Sequence, residues 1–294
     1  MAIDFDRVQK PARKLRKLLK KMPARPAPED VHDFRTHSRQ LEANLEAFAL
    51  DTARTGRRIL KPLSRLRKRA GKVRDMDVLT GYVSRMPQQD DEQDCSVELL
   101  EYLGAQRRKY ADKFDAVSRQ DGAKLRKVLK KGKRKFAKLE SRLDKDSAGG
   151  NSIAIDPTAS AIEIAAELSA PARLNRANLH AFRLKVKELR NVLKLADSPD
   201  QRLIDVLGDV KDAIGEWHDW EELIAIAEKA LDHGAQCGLI RELKQNARKR
   251  YETALAQAEQ LRNRYLKISE KKRARSKRPH PGEPVWDAAM KLAA

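Results

Sequence analysis

Apolar residues return at every third or fourth position along most of this chain. Leu41, Leu45, Phe48 and Thr52, then Leu63, Leu66, Ala70 and Val73, then Leu125, Val128, Phe136 and Leu139 keep the spacing that lays one stripe of side chains along a helix. No alternating run long enough for a strand interrupts them. The fold this predicts is all-α. Breaks fall at residues 23–28, where prolines precede Glu29 and Asp30 and these acids suit a helix start, and then at 86–94, at Asp121-Gly122 and at 144–157. Ala170-Pro171, Ser198-Pro199 and His233-Gly234 mark further turns. About four helices result on each side of the segment DKDSAGGNSIAIDP, enough for an antiparallel bundle on either side. The expected organisation is two tandem four-helix bundles, residues 1–150 and 151–270, and a basic, disordered tail at 271–294.

The halves repeat one another. A shift of 148 lays His32, Arg35 and Arg39 on His180, Arg183 and Lys187, and Leu41 and Leu45 on Leu189 and Leu193. At about 100° per residue, positions 0, 3 and 7 of a helix fall within roughly 60° of one another, so each copy forms one cationic stripe. Further on, Gly71, Asp75 and Leu79 meet Gly215, Asp219 and Leu223 at a shift of 144, and Arg107, Arg108 and Tyr110 meet Arg248, Lys249 and Tyr251 at 141. A rival register puts Gly71 on Gly208. The first is preferred because 144 lies between 148 and 141. These matches predict an internal duplication with a pseudo-twofold relation.

Charge sharpens the picture of the partner. The 294 residues carry a formal net charge of +20, unevenly spread: residues 1–150 hold 38 Lys and Arg against 22 Asp and Glu, while 151–270 hold 18 against 19. Such an excess points to a polyanion, whether nucleic acid, an acidic membrane surface or a phosphate polymer. Two cysteines, Cys95 and Cys237, are too few for a disulfide framework or a zinc site. No apolar run reaches the roughly 18 residues that cross a bilayer, and no apolar leader opens the chain, so a cytoplasmic protein is expected. Phosphate-binding P-loops, dinucleotide turns and nucleophile elbows are absent from the sequence, which predicts neither a cofactor nor catalysis.

The paired phrases VHDFRTHSR with AGKVRDMD, and LHAFRLKVKELR with IGEWHDWE, resemble the CHAD family, the conserved histidine α-helical domain. The likeness runs through most of residues 3–268. It implies two four-helix bundles with a basic surface formed by both halves, and non-catalytic binding of inorganic polyphosphate, with association to polyphosphate granules. Departures are Gln40, Glu42 and Glu188 where the family places arginine, Ala70 and Ile214 for leucine, and Trp220 and Glu221 in the second Asp-x-Asp. Candidate polyphosphate contacts are His32, Arg35, Arg39, Arg65, Lys68, Lys72, Arg74, Arg107 and Arg108 in the first half. In the second they are His180, Arg183, Lys187, Arg190, Arg248 and Lys249.

Arginine suits this role because its planar fork grips two phosphate oxygens, whereas lysine supplies a mobile point charge. Each of these cations also has the plainer reading of a solvated helix face. His32 and His180 admit three roles: a packed ring hydrogen-bonded near Asp75 or Asp219, a cationic phosphate contact, or a metal ligand. Asp75 and Asp219 are read as buttresses that orient cations. Weak, non-specific nucleic-acid binding stays open as the alternative, since phosphates dominate that affinity too. Aromatics are only 5% of residues, however, which leaves few platforms on which bases could stack.

Overall fold

The computed structural model describes residues 6–47, 54–86, 93–147, 157–171, 173–194, 200–231 and 237–266. Within them the protein is all-α, with eight helices and no strand. In chain order these are α1 Asp6–Lys21, α2 Pro28–Ala47, α3 Arg54–Val83, α4 Gln93–Ser147, α5 Pro157–Ser169, α6 Arg176–Leu193, α7 Gln201–Ala230 and α8 Gly238–Leu261, which runs on into a π-helical turn, Arg262–Leu266. The chain divides into two compact units, Met1–Ile155 and Asp156–Ala294, a boundary a few residues beyond the one expected at 150.

In the first unit α1 packs on α2, α2 on α3, α3 on α4, and α4 returns to α1. The apolar stripes named above meet at its centre: Leu41, Leu45, Leu63, Leu66, Ala70, Val73 and Leu125 are all buried, with Phe34 and Phe114 tilted against each other at 5.6 Å between centroids. Phe48 and Thr52 lie outside the described residues, as do the side chains of Phe136 and Leu139. Asp30 accepts the Ala27 backbone N–H at 3.2 Å, fixing the start of α2.

The break expected at Asp121-Gly122 does not occur, because α4 runs straight through it. Asp121 is buried and takes the Arg65 guanidinium at 3.0 Å, while Gly122 sits against Leu19 of α1. Two residues that favour a turn in isolation are here used for packing.

In the second unit α5, α6, α7 and α8 pack in sequence around Leu179, Val186, Leu189, Leu207, Ile214 and Ala258. The π turn closes the unit: Ser169 Oγ donates to the Leu266 carbonyl at 2.8 Å, and Arg262 donates to the carbonyls of Ser169 and Pro171. Asn175 caps α6 with a reciprocal capping box to Asn178. Asp200 caps α7 through the Leu203 N–H at 3.1 Å. The turns expected at Ser198-Pro199 and His233-Gly234 lie outside the described residues, as does the tail at 271–294.

Candidate functional site

Core packing decides where the cations stand. On α6 the buried positions are Leu179, Phe182, Val186, Leu189 and Leu193, and the next residue after each is His180, Arg183, Lys187, Arg190 and Lys194. One step along a helix is a turn of about 100°, so the cations form a row beside the apolar seam. On α2 the buried row is Val31, Phe34, Ser38, Leu41 and Leu45, and His32, Arg35 and Arg39 follow its first three members.

Three arginines of these rows, Arg35, Arg183 and Arg190, lie down on glycines of the next helix. A Cβ on Gly215 of α7 would come within 2.9 Å of Arg183 Nη2, and one on Gly71 of α3 within 2.5 Å of Arg35 Nη1. Arg183 Nε donates to the Lys211 carbonyl at 3.1 Å, and Arg190 Nε to the Ile204 carbonyl at 3.1 Å. Each acceptor stands four residues before the glycine beneath the same arginine, which is the separation of bonded partners in a helix, so the bare backbone admits the guanidinium to an oxygen already in use. A carbonyl orients a guanidinium without neutralising it.

Other candidates have carboxylate partners. Arg107 on α4 pairs with Asp77, whose side chain is only 4% exposed, and donates to the Pro26 carbonyl at 2.9 Å, pinning the loop before α2. Arg65 is held by Asp121, and Lys72 lies 3.9 Å from Asp75. Lys68 and Arg108 are exposed and Arg74 is half-buried. On α8 Arg248 pairs with Glu252 one turn away at 3.1 Å, and Lys249 is exposed beside it. Asp77 and Asp121 hold cations 30 and 56 residues away, whereas the sequence points to Asp75 and Asp219 as buttresses and not to these two. Asp77 was visible in the second place of the Asp-x-Asp phrase, two residues round the helix from Asp75 and so on a different face.

His32, His180 and His218 are exposed. His32 lies 3.5 Å from Thr36 Oγ1, and the His180 ring faces His218 of α7 at 5.2 Å between centroids. Partial burial, then His218 and Arg183, hold the His180 pKa below the ordinary histidine value. Glu29 stands three residues before His32, yet among the described residues no group of three or more His, Cys, Asp or Glu could hold a metal ion.

Two outcomes are expected from this geometry. Gly215→Ala gains up to about 1 kcal/mol of helix propensity but pushes Arg183 off the Lys211 carbonyl, a loss of about 1 kcal/mol. The thermal midpoint should then barely move while anion affinity falls, which paired melting and titration experiments measure. Because His180 binds its proton less tightly in the folded chain, the unfolded chain takes up more protons as pH falls through about 6.5. The unliganded protein should lose stability on that descent and His180→Gln should flatten it; thermal melts across pH 5 to 8 give the answer.

The described residues are thus all-α and carry rows of cations on α2 and α6, with Arg183 and Arg190 anchored on backbone carbonyls. The CHAD domain matches residues 9–221, from within α1 to the Glu221 that closes the second motif, a shorter span than the 3–268 expected from the sequence. This protein belongs to the CHAD domain family. No curated protein and no solved structure matches it. No helix among the described residues is long and apolar enough to cross a membrane.

Proposed function

We propose that this protein binds inorganic polyphosphate without acting on it chemically, through His32, Arg35 and Arg39 on α2 and His180, Arg183, Lys187 and Arg190 on α6. Lys68, Lys72, Arg74 and Arg108 supply surrounding charge, with Arg248 and Lys249 as outer contacts. Arg65 and Arg107 serve the fold as much as the ligand. The observation that carries the reading is the seating of Arg183 and Arg190 on neutral backbone carbonyls over glycine, which fixes their forks in a row and keeps their charge for an anion. The two units are inferred to be duplicates, which is supported by Arg35 on Gly71 and Arg183 on Gly215 occupying matching places at shifts of 148 and 144. The same chemistry would draw the protein to polyphosphate deposits in the cytoplasm.

Polyphosphate is favoured over nucleic acid because the aromatic rings near the rows are committed elsewhere. Phe34 is fully buried, and Tyr251 packs on Trp217 at 5.4 Å and under the Arg176 guanidinium at 5.0 Å, so neither offers a face to a base. Competition decides the matter. Long-chain polyphosphate should displace single-stranded and duplex DNA at equal phosphate and salt, and release no orthophosphate with or without magnesium. Preferential binding of one DNA sequence, or steady phosphate release abolished by His32→Gln, would overturn the reading.

A further inference from the structure

The cationic row of α6 does not stop where that of α2 does. After Leu41 and Leu45 the row on α2 ends in Glu42 and Glu46, whereas after Leu189 and Leu193 the row on α6 continues in Arg190 and Lys194. Glu42 is spent on Arg67 of α3, in a two-pronged pair with one arm at 2.7 Å. The shifts of 148 and 144 lay Arg190 on Glu42 and Lys211 on Arg67, so an ion pair in one half corresponds in sequence to two cations in the other.

Arg190 is also seated as Arg183 is. The two arginines are seven residues apart on α6, and the glycines that receive them, Gly208 and Gly215, are seven apart on α7 in the opposite order. A Cβ on Gly208 would come within 3.2 Å of Arg190 Nε, whose hydrogen goes to the Ile204 carbonyl. Lys194 is close enough to Arg190 and Lys211 that both, after burial, hold its pKa below the usual lysine range, against the opposing pull of Asp205. Two carboxylates stand nearby. Asp205 accepts the Gln201 amide at 2.7 Å, and Asp212, which pairs with Lys211, is 73% exposed and so screened by water.

We propose that Arg190, seated on Gly208, together with Lys194 and Lys211 forms a second phosphate-binding position that the first half lacks, lengthening the anion row of the second half. The row from His180 to Lys194 then covers roughly 21 Å of helix, against about 10 Å from His32 to Arg39. A polyphosphate chain of many units engages both positions of α6 together; a single phosphate fills one. The proposal rests on the polyphosphate reading and extends it from Arg190 to Lys194 and Lys211, which lie outside the motif phrases.

The test uses the full chain, long-chain polyphosphate and orthophosphate, followed by calorimetric titration at several salt concentrations. Lys194→Gln with Lys211→Gln should lower long-chain affinity on the order of tenfold and reduce the slope of log K against log salt by about two, by analogy with nucleic acids. Gly208→Ala, which changes no charge, should lower it several-fold at unchanged helicity. Glu42→Gln, which releases Arg67, should raise it. Equal losses from Lys229→Gln with Arg241→Gln, exposed cations of the same unit, would overturn the proposal, and so would Gly208→Ala and Glu42→Gln variants that both bind like the parent. Failure of the parent chain to bind long-chain polyphosphate would instead remove the functional reading itself.

Discussion

Alanine at Arg35, Arg39, Arg183 and Lys187 together is expected to lower polyphosphate affinity a hundredfold or more, far beyond the several-fold loss from alanine at Lys271, Lys272, Arg273 and Arg275. Both variants remove four positive charges, so their long-range fields change alike. The difference lies in how α2 and α6 hold their cations. Arg183 is held over Gly215 by a backbone carbonyl and Arg35 lies against Gly71, so their forks meet an incoming phosphate with little left to freeze. Charge-assisted hydrogen bonds contribute about 1.5 to 3 kcal/mol each when well formed. Even heavily discounted for exposure, four of them exceed the roughly 2.7 kcal/mol that separates a hundredfold change in affinity. Circular dichroism of the same variant must stay helical, since the lost contacts lie beside the core and not within it. Equal losses in the two variants would mean that diffuse charge does the binding.

The helices and the cores were legible because burial on one face writes a three-to-four-residue period into the sequence, and Leu41, Leu66, Val73, Leu179 and Leu189 are all buried as that period demands. The continuity of α4 was not. Asp121 and Gly122 favour a turn on local grounds, and what overrides them is an arginine 56 residues earlier and a leucine of α1. The rows of cations were legible for the same reason as the cores, since each cation follows a core position by one residue. What each cation rests on was not, because that depends on pairing between helices. Arg107 and Arg183 look alike in the sequence; one is paired with a buried carboxylate and the other with a carbonyl, and only the second arrangement leaves its charge for a ligand. Glu42 illustrates the same limit. The sequence shows it only as a departure from the family pattern, and it proves to be half of an ion pair with Arg67.

Polyphosphate affinity should fall linearly on a plot of log K against log salt, and steeply. A polyanion holds condensed counterions that are released when cations of the protein replace them, so each phosphate engaged adds to the slope; for duplex DNA the increment is about 0.9 per contact. With six or more contacts, raising salt from 50 to 200 mM would reduce affinity by about a thousandfold. Arg35, Arg39, Arg183, Lys187 and Arg190 stand in the proposed rows and Lys68, Lys72, Arg74 and Arg108 surround them, so a slope of that order is expected from these cations together. The quadruple variant supplies the internal check, because removing four engaged cations should flatten the slope by about four times the single-contact increment as well as weaken binding. Loss of affinity with an unchanged slope would mean that Arg35, Arg39, Arg183 and Lys187 support the helices without touching phosphate, and a salt-independent affinity in the parent chain is incompatible with any reading in which these rows bind the polymer.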